Sequence, residues 1–374
     1  MLGAADLGAR TWGYRNKMDF TFGSKRWVES GAIEDETARP RDFALGLHAP
    51  GRHDKVLDVA SCAIAFEAGE EIRTAARELA RELELEPWDL LEHRGLLRHQ
   101  VLRTGERTGE VLVYLVTSSG AGVERIPEYA TRLVERCPAI TTLVHGVRDA
   151  ISSVAEGETD VVLHGPGFIR EELGGVTFEV SARSFFQTNT AAAEGLFRVV
   201  AEEACVTHDE VLFDLYCGAG SIALLLAGSC REVWGFERVP EAVEDARRNA
   251  TAAGIENARF VAGDVLETAS ATGLAELGAP AADVVVVDPP RAGLHPGVRA
   301  FLVERAAEGS GRRLVYVSCN PKAAAVDLET LVDGGFRVLR ARPVDLFPHT
   351  PHVEVVFTLE WVGPPDADEE SAGA

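Results

Sequence analysis

Five short apolar segments alternate with five helical patterns between residues 211 and 333, and this alternation restricts the possible folds more than any other feature of the sequence. The apolar segments have the length and the valine and leucine content of buried strands. Strands that alternate with helices form a parallel sheet with helices on both faces, the doubly wound α/β arrangement. The predicted strands are 211–215, 232–236, 258–262, 284–287 and 314–317, and the predicted helices lie near 220–228, 240–253, 268–276, 297–308 and 322–333.

The first half of the chain has a different pattern. It contains short strand patterns and two helical patterns, near 68–84 and 124–136, which predict a small α+β domain with a mainly antiparallel sheet. A chain of 374 residues also exceeds the usual size of a single domain. We therefore predict a small α+β domain at 1–180, a doubly wound domain at 181–362 that ends in two long strands, and a disordered polar tail at 363–374.

The net charge of −22 argues against a polyanionic partner, because acidic side chains repel phosphate groups. Binding of RNA would therefore require a locally basic face. The segment Tyr14–Gly23 alternates polar and apolar residues as a half-exposed strand does, and it contains the cations Arg15 and Lys17. Two interpretations of this segment stay open, a solvated strand face and an RNA-facing surface.

The six cysteines are scattered, without the CxxC spacing of a zinc site and without a pattern typical of a disulfide framework. We therefore expect a reducing compartment and no structural metal. The sequence shows no signal-peptide pattern and no apolar run as long as a membrane span. On this basis we expect a cytoplasmic monomer without membrane contacts.

A glycine-containing loop, Asp214–Ser221, follows the first predicted strand of the α/β domain and opens a helix. Glu237 ends the second strand, 19 residues after Gly218, where a carboxylate can accept hydrogen bonds from both hydroxyls of a ribose. Asp264 ends the third strand and is placed to meet an adenine amino group. The loop lacks the third glycine of dinucleotide sites and no P-loop lysine follows, so a nucleoside cofactor without phosphate, S-adenosylmethionine, fits better than NAD. The alternative is a glycine turn with two surface acids.

Two further junctions between a strand and a loop carry reactive side chains. Cys319 ends the fifth predicted strand and precedes Asn320-Pro321, and Asp288 and Arg291 follow the fourth strand. Glu354 lies just before the last apolar strand, where its carboxylate can point inward. Together these residues offer a nucleophilic thiolate and a proton acceptor. The alternatives are a buried core thiol for Cys319 and a surface glutamate for Glu354.

The chain resembles the RNA uracil-5 methyltransferase family, the bacterial enzymes that make 5-methyluridine in ribosomal RNA and in the T-loop of tRNA. The resemblance covers nearly the whole chain and implies a class I, Rossmann-like methyltransferase domain preceded by a domain that contacts RNA. The motifs that carry it are Tyr14-Arg15-Asn16-Lys17, Phe186-Gln187-Thr188-Asn189, Asp288-Pro289-Pro290-Arg291-Ala292-Gly293, Ser318-Cys319-Asn320-Pro321 and His352-Val353-Glu354.

The resemblance implies a role for each matching residue. Cys319 is expected to add to carbon 6 of the uracil, and Glu354 is expected to accept the proton from carbon 5. Phe185 matches an aromatic residue near the target base. Apart from the resemblance, the position of Asp288 and Arg291 after the fourth strand predicts that they help to hold the base and to stabilise the enolate oxygen. The residues that match S-adenosylmethionine-binding positions are Gln187, Tyr216, Ser221, Glu237, Asp264 and Asp288. Ser221 departs from the asparagine that is common at its position.

A second departure concerns the front of the chain. Members of the family usually begin with an oligonucleotide-binding barrel, and many carry three cysteines that hold a [4Fe-4S] cluster together with a fourth. Cys62 matches the fourth cysteine, but its three companions are absent from this sequence. We therefore expect neither the barrel nor a complete [4Fe-4S] site.

Methyltransferases that act on other groups have different residues at these positions. A cytosine-5 methyltransferase places a cysteine directly after Pro289, where this chain has Pro290. An exocyclic-amine methyltransferase has an aromatic residue at the position of Arg291. The predicted function is therefore methylation of uracil C5 in 23S ribosomal RNA or tRNA, and the alternative from another class is a non-catalytic RNA-binding or RNA-folding factor that retains the fold.

Overall fold

The computed structural model describes residues 10–27, 42–49, 51–151 and 154–364. Contacts within the chain define two compact units, one formed by residues 12–172 and 179–183 and the other by residues 173–178 and those from 184 onward. The boundary predicted at residue 180 lies inside a strand, Val176–Ser181. The predicted disordered tail lies outside the described residues from position 365 onward.

In its described ranges, the first unit contains a mainly antiparallel sheet and two α-helices. Its strands are β1 (Lys17–Gly23), β2 (Ala44–Ala49), β3 (Arg52–Leu57), β4 (Leu97–Thr104), β5 (Val111–Thr117), β6 (Thr142–Val147) and β7 (Thr159–His164), and its helices are α1 (Glu67–Glu82) and α2 (Ile126–Arg136). The strand order is β3-β2-β1-β4-β5-β6-β7. Strands β5 and β6 run parallel, and the other neighbouring pairs run antiparallel.

The core of the first unit lies between this sheet and its helices. Met18, Phe20 and Phe22 alternate along β1 and point into the core, as the period of two in a strand requires. Ile72 and Leu79 of α1 are seven residues apart, so they lie on the same helix face and belong to the same core. The polar positions between the β1 core residues therefore belong to the opposite face of the sheet.

The second unit is built on a mostly parallel sheet. A hairpin of β8 (Phe168–Leu173) and β9 (Val176–Ser181) precedes it. The strands of the sheet are β10 (Val211–Leu215), β11 (Glu232–Glu237), β12 (Ala258–Ala262), β13 (Val284–Val287), β14 (Arg313–Ser318), β15 (Phe336–Val344) and β16 (Glu354–Trp361). The helices are α3 (Thr190–Ala204), α4 (Ser221–Leu226), α5 (Pro240–Ala252), α6 (Val265–Thr268), α7 (Ala271–Leu277), α8 (Pro296–Ala307) and α9 (Pro321–Asp333).

The strand order β12-β11-β10-β13-β14-β16-β15 confirms the predicted α/β fold class. Strands β10 to β14 run parallel, and β16 runs antiparallel to β14. One predicted helix, 268–276, is wrong in its extent. The chain instead forms α6 and α7, because Asp264 and Ser270 each begin a separate helix by accepting a hydrogen bond from a backbone N–H two or three residues later.

The parallel strands bring their carboxyl ends to one edge of the sheet. The loop at residues 216–220, Glu237, Asp264, Asp288 and Cys319 lie at or just after the ends of β10 to β14 in that order. Strand β16 begins at this same edge, because its register pairs Ser318 with Val355. Within the described residues, none of the helices has the length and apolar character needed to cross a membrane.

Candidate active site

The loop after β10 has the backbone of a close-approach site. Tyr216, Gly218 and Gly220 have φ angles of 68°, 53° and 84°, in the left-handed region that favours glycine. A Cβ atom on Gly220 would lie 2.9 Å from the ring of Phe260, so only glycine fits there. A Cβ atom on Gly218 would meet no atom within 4 Å, so the backbone at this position faces open space. A ligand can therefore approach the main chain at Gly218.

Glu237 is held against this loop by two backbone hydrogen bonds. One carboxylate oxygen accepts from the N–H of Gly218 at 3.1 Å, and the other accepts from the N–H of Val239 at 2.8 Å. Each oxygen of a carboxylate has two acceptor positions, so Glu237 keeps capacity for a further donor such as a ribose hydroxyl. Asp264 accepts from the N–H of Leu266 at 2.9 Å and is otherwise exposed at the next strand end.

Asp214 is a buried acid beneath the loop. No role was predicted for this residue from the sequence. Its carboxylate accepts from the N–H of Ala223 at 3.0 Å, which ties the end of β10 to α4. Burial, followed by the nearby Asp288, raises the pKa of Asp214 well above its ordinary value. The signal available in the sequence was an acidic residue inside an otherwise apolar strand.

Ser221, Phe185 and Gln187 are the remaining predicted site residues of this half of the site. Ser221 is the first residue of α4, directly after the glycine loop. The segment that carries Phe185 and Gln187 is anchored at both ends, by a hydrogen bond from Ser184 to Asp245 of α5 and by one from Asn189 to the carbonyl of Leu346 at 2.9 Å. The side chain of Phe185 is 67% exposed, so it is available for stacking.

Cys319 lies between the end of β14 and the start of α9. It is partly exposed, which excludes the core-thiol alternative. Asn320 begins α9 and donates a hydrogen bond to the carbonyl of Arg291 at 2.9 Å, so the loops after β13 and β14 are joined. Burial, then Glu354 and Asp288, raises the pKa of the Cys319 thiol, whereas Arg291 lowers it. The positive end of α9 also favours the thiolate.

Glu354 begins β16, and its carboxyl group is buried. Ser318 pairs with Val355, so Cys319 and Glu354 are the next residues on two antiparallel neighbours. Glu354 is only 5% exposed, and the surface-glutamate alternative is therefore wrong. Burial, together with Asp288, raises the pKa of Glu354 to about 8, and burial raises the pKa of Asp288 to about 7. The site thus contains two carboxyl groups that titrate near neutral pH beside a thiol.

Arg291 and His352 form the exposed rim next to these groups. The guanidinium nitrogen of Arg291 lies 3.4 Å from Nδ1 of His352. His352 is two residues before Glu354, so this contact links the loop after β13 to the segment that enters β16. Arg291 lowers the pKa of both Cys319 and Glu354, so its positive charge acts on both reactive groups.

Asp327, which the sequence analysis missed, holds these loops together from α9. One of its carboxylate oxygens accepts from the N–H of Leu294 at 2.8 Å and from the hydroxyl of Tyr316 at 2.7 Å. The other oxygen accepts from Arg299 at 3.2 Å. A Cβ atom on Gly293 would lie 2.5 Å from this carboxylate, so the loop after β13 packs directly against α9. The signal in the sequence was an acid on the apolar face of α9.

We predict that Asp327→Asn lowers the free energy of unfolding by about 1–3 kcal/mol, because it weakens three hydrogen bonds to a buried acceptor and leaves Arg299 without its counter-charge. Urea unfolding measures this change. The matched control is Glu329→Gln, an exposed acid on the same helix, which is expected to leave stability unchanged. Equal stability of Asp327→Asn and the wild type would contradict the role assigned to Asp327.

The described residues contain no group of three or more histidine, cysteine, aspartate or glutamate side chains arranged to hold a metal ion. Cys62 is partly buried and packs against the core of the first unit. Its backbone N–H donates to Glu70 at 3.0 Å. The structure therefore assigns Cys62 a packing role in the first unit, and the expected absence of a complete iron–sulfur site stays a prediction.

Comparison with known proteins identifies relatives of the chain along most of its length. Residues 168–362 match the sequence profile described as tRNA (Uracil-5-)-methyltransferase. A protein of Porphyromonas gingivalis named as an uncharacterized RNA methyltransferase is 40% identical over 352 residues, which cover 92% of this chain and 74% of that protein. One from Chlorobaculum tepidum with the same description is 38% identical, with 93% and 71% covered.

A solved structure is similar to this chain over most of its length. It is the tRNA (uracil-54, C5)-methyltransferase of Pyrococcus abyssi in complex with S-adenosyl-L-homocysteine. The TM-score is 0.72 at 30% identity, and the match covers 94% of this chain and 76% of that one.

Proposed function

Because the chain belongs to the tRNA (uracil-5-)-methyltransferase family, we propose that it methylates carbon 5 of a uracil base in tRNA or 23S ribosomal RNA with S-adenosylmethionine as the methyl donor. Membership of this family supports S-adenosylmethionine-dependent methylation of RNA as the general activity. The observation that supports uracil C5 as the target is the proximity of Cys319 to the buried Glu354, at the edge of the sheet where Glu237, Asp264 and Asp288 also lie. A thiol and a proton acceptor at one site are what this reaction requires.

The chemistry of the acids fits the proposed cofactor. Glu237, Asp264 and Asp288 place three carboxyl groups along one edge, which favours a cationic sulfonium and disfavours the phosphates of NAD. The open space over Gly218 gives an adenosine moiety access to the backbone. The residues proposed to hold the cofactor are Gln187, Tyr216, Ser221, Glu237, Asp264 and Asp288. When bound, S-adenosylmethionine supplies an electrophilic methyl group, which the nucleophilic carbon 5 of the base accepts.

In this proposal Cys319 activates the base. Its thiolate forms a bond to carbon 6 of the uracil, which breaks the π bond between carbons 5 and 6 and moves an electron pair onto carbon 5 and the conjugated carbonyl oxygen. Arg291 stabilises the negative charge on that oxygen. Phe185, which is largely exposed, stacks on the target base or on its neighbour.

Glu354 then completes the reaction. Its carboxylate removes the proton from carbon 5 after that carbon has been methylated. The electron pair of the broken C–H bond reforms the double bond between carbons 5 and 6, and the bond from carbon 6 to the sulfur of Cys319 breaks. The thiolate is regenerated, and the proton remains on Glu354 until it passes to solvent.

The direct test is to incubate the purified chain with S-adenosylmethionine and unmodified tRNA or 23S ribosomal RNA, and to analyse the nucleosides by mass spectrometry. We expect 5-methyluridine. Methylation of another base would contradict the choice of uracil. Failure to bind S-adenosylmethionine in calorimetry, with RNA affinity retained, would favour the non-catalytic RNA-binding factor.

We predict that kcat rises with pH from about 6 to about 8.5. The folded-state pKa of Glu354 is raised to about 8, so below this pH the carboxyl group is mostly protonated and cannot accept the proton from carbon 5. The pKa of Cys319 is raised as well, so its thiolate fraction increases in the same direction. Turnover rates at saturating RNA across this range measure the effect, and a rate that falls with pH would contradict these protonation states.

A further inference from the structure

The first three strands of the first unit carry an excess of positive charge that the proposed chemistry does not use. Residues 12–27 and 44–57 contain six lysine and arginine residues against two aspartates, whereas the whole chain has a net charge of −22. The segment that the sequence analysis left undecided, Tyr14–Gly23, belongs to this region. These two stretches therefore have a charge of the sign opposite to that of the protein as a whole, while the segment between them, 28–43, holds five acids and two arginines.

Part of this charge is gathered at one edge of the sheet. Strand β3 is the edge strand, and the segment after β1 runs beside it, with the N–H of Trp27 donating to the carbonyl of Val56 at 2.7 Å and the N–H of Val56 donating to the carbonyl of Lys25 at 3.1 Å. This pairing brings residues 25–27 next to β3. We call the resulting cluster the basic edge. It consists of Lys25, Arg26, Trp27, Arg52 and Lys55.

Trp27 organises two of the cations. The guanidinium carbon of Arg52 lies 5.9 Å from the centroid of the Trp27 ring, and the ammonium of Lys55 lies 5.3 Å from it. Both distances are within the range of cation–π attraction. Cations that are already held in place lose less side-chain entropy when they bind a partner, so this arrangement is preorganised.

The cluster keeps a net positive charge after its ion pairs are counted. Among the described residues, Asp89 lies 3.4 Å from Lys25 and Asp54 lies 2.9 Å from Arg52. Two acids thus accompany four cations. The side chains of Lys25 and Arg52 remain 42% and 47% exposed, so both are partly accessible to a binding partner.

We propose that the basic edge binds the sugar–phosphate backbone of the RNA substrate, with Trp27 positioning Arg52 and Lys55 for phosphate contacts. This proposal rests on the RNA substrate of the proposed function and names where the first unit binds it. Phosphate is the partner that complements a cluster of preorganised cations on an otherwise acidic protein. The competing explanation is that charges on an edge strand only prevent pairing with another sheet.

The test measures the affinity of the full chain for a tRNA transcript and for a random-sequence RNA at several salt concentrations. We expect the double variant Lys25→Gln/Lys55→Gln to weaken binding of both RNAs about tenfold at moderate salt. We also expect the slope of log Kd against log salt to fall by about 1–2, because fewer counterions are released from the RNA when fewer phosphate contacts form. The rate of methylation at saturating RNA is expected to stay unchanged. Trp27→Leu is expected to weaken binding with a smaller change in slope, since it removes no charge.

The matched control is Arg132→Gln/Arg136→Gln, which removes two partly exposed cations of α2 that pair with Glu82 in the same unit. It is expected to leave RNA affinity and salt slope unchanged. Unaltered affinity and slope in the Lys25/Lys55 variant would overturn the proposal. If that variant also aggregates more, the charges serve only to prevent the edge strand from pairing with another sheet. If the Lys25/Lys55 variant loses RNA affinity but the wild type forms no 5-methyluridine, the proposal for the basic edge is supported and the proposed function is refuted.

Discussion

Cys319→Ala is expected to abolish methylation, with a rate at least about 10⁴-fold below that of the wild type, because no other group supplies the electron pair that activates carbon 5. Uracil carbon 5 is a weak nucleophile until a sulfur is bonded to carbon 6. The substitution removes that sulfur from the end of β14 and changes nothing in the glycine loop or the acids that follow β11 to β13. Binding of S-adenosylmethionine, measured by calorimetry, is therefore expected to be retained.

The covalent bond itself can be observed. RNA that contains 5-fluorouridine carries fluorine where Glu354 would remove a proton, so the methylated adduct cannot break down. We expect the wild type to form a stable protein–RNA complex in denaturing gels, with the modified peptide containing Cys319, and we expect Cys319→Ala to form none. The control is Cys205→Ser, because Cys205 is exposed at the end of α3. An adduct that persists in Cys319→Ala would place the nucleophile elsewhere.

Glu354→Gln is expected to slow turnover by about 10²–10⁴-fold and to accumulate the covalent complex with ordinary RNA. Glutamine keeps the shape of the side chain but cannot accept the proton, so elimination of Cys319 stops after methylation. The Glu354 carboxylate also raises the pKa of the Cys319 thiol, and its removal therefore does not hinder formation of the thiolate. The first step proceeds while the last one fails.

The measurement compares the amount of protein–RNA adduct and the yield of 5-methyluridine over time. Glu360→Gln is the matched control, because Glu360 is an exposed glutamate on the same strand, β16. It is expected to behave as the wild type. A normal rate in Glu354→Gln would show that another base takes the proton, and a slow rate without any adduct would place Glu354 before the nucleophilic step.

The charge at the site depends on two carboxyl groups and one guanidinium group. Asp288 and Glu354 both have pKa values raised by burial, to about 7 and about 8, so their charges vary near neutral pH. Arg291 opposes them with a permanent positive charge that lowers the pKa of Glu354 and Cys319. The reaction is expected to accelerate as the pH rises because Glu354 loses its proton and becomes a proton acceptor, and because the thiolate fraction of Cys319 increases.

Much of the second unit could be predicted from its sequence. Strands β10 and β13 have the predicted bounds, and Cys319 follows β14 as the pattern of apolar residues before Asn-Pro indicated. Such predictions succeed because burial on both faces of a parallel strand leaves a continuous apolar run, and each strand end is marked locally by glycine, proline or a capping residue. The order of Glu237, Asp264 and Asp288 along one edge follows from the same pattern.

Other features depended on contacts between distant segments. The helix predicted at 268–276 divides because Ser270 caps a second helix, and helical periodicity does not reveal such a break. Asp327 looked like one acid among others on α9 until the packing of that helix brought Leu294, Tyr316 and Arg299 to it. Residues 25–27 lie next to β3 only because their backbone forms hydrogen bonds with Val56, which is distant along the chain.

Local periodicity and short motifs were enough to predict the α/β fold class, the family, and the position of each reactive side chain relative to the end of its own strand. The pairing of β14 with β16, rather than with β15, became known from the folded structure alone. That choice buries Glu354 next to Cys319, and it raises the pKa of the carboxyl group. Strand order depends on which distant surfaces pack together, and no local pattern of residues contains that information.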